Sequence, residues 1–463
     1  MSFIHKDISS NLYFILLLII SIGISLQIVI YKIGIILLFL YWLFFHQGLK
    51  KITRVNLKKE LMVLVLFYFF YCLSFFWSLE KDFAKVDLIL KSPLLILPLI
   101  LGTIKLKDKK QYNYILLSFA CSSLALNFYC FFKALPNYFS TLDLNVFYYS
   151  NLTINMHTAY QSLFTCFSIL ILFYINLNNK KTNKYALVII ATQMLFVLLL
   201  ASRMQILIMI FFVSVFVIYR YYKKQKTWVG LLITTIYLLV VGQIISAPSA
   251  LNYRYKQTIS QVSMILDVGE KVDLARKDLW REALNVIKQN IIIGTGVGDA
   301  KKNLLNKMEK YIVNENSKKE MLLKEINLLK KDKKRIEKLT RKAKLEGIKT
   351  NTFLQNYALQ LLEKKSDRSK FYIAQQYNYH NQYLQTFATI GVIGISLLTF
   401  ILFFPIKNFF LTKNYFEIFF LLLIVLSFIT ESFLERQAGV SFFAFFYSLL
   451  VANSKINSFD STI

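Results

Sequence analysis

The sequence predicts an all-α, polytopic transmembrane helix bundle of about twelve spans, with one large helical loop before the tenth span. Three observations lead there. Hydrophobic residues make up 56% of the 463 residues and charged residues only 17%, against about a quarter charged in a soluble domain. The apolar residues are gathered into continuous blocks of about 15–25, the length a helix needs to cross a bilayer. Basic residues collect at alternate block ends. Together these exclude a soluble cytosolic enzyme, a disordered chain, a collagen-like fibre and a disulfide scaffold. Continuous runs without apolar–polar alternation exclude a membrane β-barrel.

The blocks fall at 11–31, 33–47, 61–78, 87–104, 113–134, 157–177, 185–201, 204–221, 228–247, 384–404, 415–431 and 439–453. The first lacks a small-residue cleavage site and runs directly into a second, so it reads as a retained span. An even count puts both termini on one side. The segments on that side carry clusters such as Lys50, Lys51, Arg54, Lys58 and Lys59, or Arg220, Lys223, Lys224 and Lys226. The short loops of the other side hold only Lys32, Lys81, Lys85, Lys133, Arg203 and Arg436. That bias makes the termini cytoplasmic. Cys72, Cys121, Cys130 and Cys166 all lie inside apolar blocks with no CxxC spacing. They read as small buried hydrophobes.

Three segments follow: spans one to nine over 1–248, an outer hydrophilic loop over 249–379, and spans ten to twelve over 380–463. Long translocated loops escape the charge rule, so the basic excess of 249–379 leaves the topology intact. Its most basic part, 301–349, has Leu322, Ile326, Leu329, Ile336 and Ala343 at helical spacing and reads as a helical hairpin. Either it is solvated, or it lies against anionic headgroups or an anionic glycan.

An ion at the bilayer centre costs roughly 2.5–3.5 kcal/mol on insertion scales, so ionisable residues at span ends need a reason. Those at the outer ends are Lys91, His157, Arg203, Arg276, Arg281, His380, Glu431, Glu435 and Arg436. A site on that side has no ATP or nucleotide sugar, so its substrates must arrive activated, most simply on a lipid. His380 opens His380-Asn381-Gln382-Tyr383-Leu384 where the large loop re-enters the membrane. There it serves either as a general base near neutral pH or as an interfacial histidine bonded to its helix end. Gly391 and Gly394 read as a close helix contact. Arg203 sits in the minimal turn Ala201-Ser202-Arg203, at headgroup depth. Its planar fork suits phosphate oxygens, and snorkelling explains it equally. Arg276 and Trp280 share a helix face four residues apart, with Arg281 beside them. Gly294-Thr295-Gly296-Val297-Gly298 is not a dinucleotide fingerprint, because the third glycine comes early and no βαβ unit surrounds it. It reads as a turn into a helix, holding an anion or simply turning. Glu431, Glu435 and Arg436 share the last outer turn, with Glu431 placed to partner a histidine or arginine. The outer loops lack a DxD motif, so no metal and no cofactor is expected; nor is a nucleic-acid partner.

In this order, these residues resemble the O-antigen ligase and O-antigen polymerase superfamily of bacterial envelope glycosyltransferases. The resemblance runs from about Thr153 onward. It rests on His380-Asn381-x-Tyr383-Leu384 with Gly391-x-x-Gly394, on Arg276-x-x-x-Trp280 with the three glycines, on Ser202-Arg203, and on Glu431-x-x-x-Glu435-x-x-Ala438-Gly439. It implies a metal-independent, inverting transfer at the periplasmic face of the inner membrane. The donor would be a glycan on undecaprenyl diphosphate. The acceptor would be lipid A–core for a ligase, or a second lipid-linked glycan for a polymerase. By position, His380 looks like the family's loop histidine, and Arg203 and Arg276 like its diphosphate-binding arginines. Glu431 sits where a late acid often stands, and His157 fits less closely. The basic stretch 301–349 is an insertion to which the family lends no role. A transporter is the reading from another class, but few glycines and prolines and no repeat halves speak against it. A receptor-like protein using the basic loop is a third.

Overall fold

The computed structural model describes residues 2–54, 57–154, 156–178, 184–246 and 275–454. Among them every regular element is helical. The chain runs through α1 (Ser2–Leu26), α2 (Ile30–Phe44), α3 (Gly48–Arg54), α4 (Lys59–Ser74), α5 (Lys81–Lys91), α6 (Pro93–Thr103), α7 (Lys109–Thr141), α8 (Thr158–Asn178), α9 (Lys184–Leu200), α10 (Arg203–Lys223) and α11 (Thr227–Ser246). It resumes with α12 (Ala275–Gln289), α13 (Ala300–Glu309), α14 (Glu315–Lys330), α15 (Lys333–Leu345), α16 (Thr350–Ala374), α17 (Gln382–Leu411), α18 (Tyr415–Thr430) and α19 (Gln437–Ala452). Each predicted apolar block coincides with a helix. Among the described residues six stretches are long and apolar enough to cross a membrane: Lys81–Thr103, Lys109–Thr141, Thr158–Leu177, Arg203–Lys223, Thr227–Ile244 and Gln382–Leu411. Five shorter apolar helices accompany them.

The bundle is built around α19. Its residues from Gly439 to Val451 are all buried, as expected for a helix apolar on every side. Phe442 and Phe446 interlock with Phe119 of α7 and with Phe164 and Phe167 of α8, at ring-centroid distances of 4.7–5.6 Å. Lipid is as apolar as leucine, so packing and hydrogen bonds, more than hydrophobicity, hold such helices together. Aromatic pairs add about 0.5–1.5 kcal/mol each. Polar pins cross the bundle: Tyr447 Oη donates to the Ile401 carbonyl at 3.0 Å, and Trp42 Nε1 donates to Thr103 Oγ1 at 2.8 Å. Cys130 and Cys166 are buried as expected, whereas Cys121 is exposed and Cys72 half-buried. An apolar block also has an outer face, and a cysteine there meets its surroundings rather than the core.

Helices α12 to α16 pack on one another, and α12 packs on α17. In α12, Leu279, Ala283, Val286 and Ile287 are buried at helical spacing against Leu304, Met308, Tyr372 and Tyr379. The hairpin α14–α15 packs on α16 and buries Leu329, Leu339 and Ala343. Leu322, Ile326 and Ile336 are half-buried beside them. The helical hairpin read from the spacing is present, and Leu339, which that spacing did not include, is buried with Leu329 and Ala343. The loop's opening stretch, 249–274, lies outside the described residues.

One expectation is corrected. Gly391 does not serve a helix–helix contact. At Ile390 and Gly391 the α17 backbone leaves helical geometry, with Gly391 at φ 64°, and the glycine turn 291–298 inserts into the break. Val392 N–H donates to the Ile291 carbonyl at 2.8 Å, Thr295 N–H to Ala388 at 2.8 Å, and Gly296 N–H to Thr389 at 2.9 Å. A Cβ on Gly391 would overlap the Ile292 carbonyl, and one on Gly294 the Thr389 backbone. A Cβ on Gly394 would meet the Ile390 side chain of its own helix.

Candidate active site

The site grows from the start of α17. Asn381 is its N-cap, with extended backbone and Oδ1 accepting from Leu384 N–H at 3.0 Å. The same residue grips the α18–α19 turn: its N–H donates to Ser432 Oγ at 3.1 Å, and its Nδ2 to the Ile429 carbonyl at 3.0 Å. Gln382 is fully buried, and its Oε1 accepts from Leu434 N–H at 2.7 Å. Tyr383 Oη donates to the Val425 carbonyl at 3.0 Å. The turn carrying Glu431, Glu435 and Arg436 is thereby clamped beside His380.

His380 has φ 45°, a left-handed conformation that costs a non-glycine residue about 1–3 kcal/mol unless its neighbours impose it. They do. Its N–H donates to Asn378 Oδ1 at 2.9 Å, and its ring leans on Tyr377 with centroids 4.7 Å apart. The next residue is fixed on Ser432, and the preceding Tyr379 accepts from Trp280 Nε1 at 3.1 Å. Its Nδ1 lies 3.1 Å from Glu431, whose side chain is buried. A carboxylate only accepts, so Nδ1 carries the hydrogen and Nε2 keeps the acceptor lone pair. Because the acceptor is a carboxylate the bond is already charge-assisted, and protonation of the ring turns it into an ion pair.

The remaining candidates stand at or near helix starts. Arg203 is the first residue of α10, after the left-handed Ala201 with φ 49°. Two residues on, Gln205 Nε2 donates to Ser427 Oγ at 2.8 Å, one turn before Glu431. At the start of α8, His157 Nδ1 accepts from Ala159 N–H at 3.3 Å, so this ring caps its own helix. Tyr160 Oη donates to the Ser432 carbonyl at 3.3 Å, and the Arg436 guanidinium lies 5.9 Å from the Tyr160 ring. Arg276 lies in the first turn of α12, with its side chain outside the described residues. Trp280, one turn later, ties that helix to Tyr379 beside His380. Arg281 turns elsewhere. It pairs with Asp278 at 2.9 Å and Glu282 at 3.4 Å on its own helix and donates to Tyr311 Oη at 3.0 Å, tying α12 to the segment that follows α13.

The glycine turn is committed to structure. Besides the bonds into α17, Val297 and Gly298 N–H donate to Ser74 and Ser78 Oγ, each at 3.1 Å. Asp299 accepts from Leu79 N–H at 2.6 Å and Glu80 N–H at 2.9 Å. Its backbone donors are spent on the protein, which favours the simple turn over an anion cradle.

Lys91, named from the sequence only among the ionisable residues at outer span ends, proves central to the packing. It is fully buried, with Nζ at 2.5 and 2.7 Å from the Asp87 carboxylate and 3.1 Å from Glu435 Oε1. The i,i+4 spacing of Asp87 and Lys91 was readable; the approach of Glu435 was not. Burial raises the Glu435 carboxyl above the ordinary carboxylate range, against the pull of Lys91. Half-buried Lys301 lies near Glu435 and Arg436, and burial lowers its ammonium pKa.

Helices of membrane-crossing length around a charged rim define a multi-pass helical membrane protein. Residues 185–321 match the family model described as O-antigen ligase. Over that stretch, less than a third of the chain, the protein is similar to the O-antigen ligase family, whose members act on lipid-linked glycans. The match covers Arg203, Arg276, Trp280 and the glycine turn, and it ends before His380 and Glu431. No curated protein matches the chain.

Proposed function

We propose that the protein transfers a glycan from undecaprenyl diphosphate to lipid A–core at the periplasmic face of the inner membrane. The observation that carries this reading is the His380–Glu431 pair at 3.1 Å, beside helix ends that bear Arg203 and Arg276. In this reading the chain crosses the membrane about twelve times with both termini cytoplasmic. Residues 1–248 and 380–463 form the spans, and 249–379 the periplasmic layer.

The reaction needs three things: two lipids held in register, charge balance on the departing diphosphate, and an acceptor for one proton. The acceptor hydroxyl attacks the anomeric carbon from the face opposite the diphosphate, so the configuration inverts. The new C–O bond forms as the bond to the diphosphate breaks, and undecaprenyl diphosphate leaves with that electron pair. Arg203 and Arg276 offset its growing charge with planar donor forks, so no metal is required for that task. The hydroxyl proton passes to His380 Nε2, and Glu431 stabilises the imidazolium through Nδ1. Asn381 and Tyr383 fix the helix start, Trp280 seats α12, and Arg281, Glu435, Arg436 and His157 support the rim. The energy comes from the donor's diphosphate bond.

The test is His380→Ala and Arg276→Ala in cells, with glycan attached to lipid A–core read on a gel. The expected result is loss of attachment at normal protein level; unchanged attachment refutes the assigned roles. A polymerase would use the same site on a second lipid-linked glycan. Full-length unattached polymer in a deletion strain indicates the ligase, and single attached repeats the polymerase.

A further inference from the structure

We propose that Lys91 is a positioning residue of this site: the cluster Asp87–Lys91–Glu435 pins the 431–436 turn to α5 and so holds Glu431 toward His380. The inference rests on the transferase reading and adds a residue to it. Lys91 lies within a stretch long and apolar enough to cross a membrane, and its side chain has no exposed surface. Asp87 alone already neutralises it. Glu435 is a second carboxylate, brought from the last turn of the bundle, and the trio carries more acid than base. Buried ion pairs are weak contributors to stability, and apolar replacements of similar volume often fold as well. Stability therefore does not account for this arrangement, whereas geometry does.

The turn is held by α17 and by α5, and Tyr160 of α8 also donates to its Ser432 carbonyl. On the α17 side, hydrogen bonds from Leu434 N–H to Gln382 and from Asn381 N–H to Ser432 secure it. On the α5 side, the ion contact of Lys91 with Glu435 at 3.1 Å secures it. Glu431 lies four residues from Glu435, so a turn released from α5 changes the direction in which Glu431 meets the imidazole. The Tyr71 ring, 5.1 Å from Nζ, backs the ammonium and keeps it aimed at the carboxylates.

A double-mutant cycle tests this on the full-length protein in lipid, reading undecaprenyl diphosphate release for Lys91→Met, Glu431→Gln and both together. Lys91→Met is expected to lower turnover about tenfold with KM nearly unchanged, and to cost less than about twofold more once Glu431 is Gln. Losses that multiply, or Lys91→Met turning over at the wild-type rate, overturn the proposal. If Lys91→Met does not accumulate, Glu435→Gln breaks the same contact while leaving Lys91 neutralised by Asp87, and the same non-additivity is required of it. If His380→Ala and Glu431→Gln both keep wild-type turnover, the transferase reading itself falls. If they lose activity and the Lys91 loss multiplies with theirs, only the positioning role falls.

Discussion

The rim and the basic hairpin α14–α15 are both rich in charge, and they treat it in opposite ways. On the hairpin the cations are many and mostly exposed. Its Lys324–Glu320 pair at 2.6 Å has both side chains about 70% exposed, and such pairs contribute about 0–1 kcal/mol. At the rim the charges are few, and each of His380, Lys91, Glu431 and Glu435 is largely buried with a named partner. Burying a charge is costly, so a protein keeps one only where its position matters. Burial and partnership therefore single out the rim as the candidate site, which the count of basic residues alone does not.

That contrast can be broken or sharpened by substitution. Arg203→Ala removes a rim cation and should lower turnover about 10²-fold, the usual cost of losing one preorganised donor; undiminished release of undecaprenyl diphosphate would move the diphosphate site elsewhere. Gly391→Ala should lower the melting temperature in detergent, because φ 64° and the Ile292 carbonyl both oppose a side chain; that strain alone costs about 1–3 kcal/mol. Glu435→Gln sharpens the comparison through pH. A carboxyl whose folded-state pKa is raised adds stability below its unfolded value, about 4.3, and that contribution is lost as pH rises through the folded value. The wild type should therefore melt progressively lower than Glu435→Gln as pH climbs from acid toward neutrality, and parallel melting curves would contradict the buried placement. The smallest effect belongs to the hairpin. Replacing Lys318, Lys319, Lys324, Lys342 and Lys344 by Gln should change stability by no more than about 0.5 kcal/mol for each substitution. Turnover should stay within about twofold; a large loss would give that surface a function.

The helices were legible because a long apolar run has one structural solution, and composition alone disclosed it. His380, Glu431 and Asn381 were legible because a polar residue at a span end needs a reason. The pairing of His380 with Glu431 was anticipated only in kind, as a histidine or arginine partner. The break in α17 was hidden. Gly391 looks like any small residue in an apolar run, and only the inserted turn 291–298 reveals that its φ is positive. Glu435 reaching Lys91 was also hidden, since a contact between the fourth apolar block and the last outer turn leaves no local pattern. The glycine turn was left open between anion binding and turning, and the fate of its N–H groups favours turning.

The most direct measurement is single-turnover release of undecaprenyl diphosphate by His380→Ala in lipid, with and without added imidazole. If the imidazole ring takes the acceptor's proton, the rate falls about 10²–10⁴-fold and free imidazole restores part of it. A folded His380→Ala protein that releases undecaprenyl diphosphate at the wild-type rate would contradict the account.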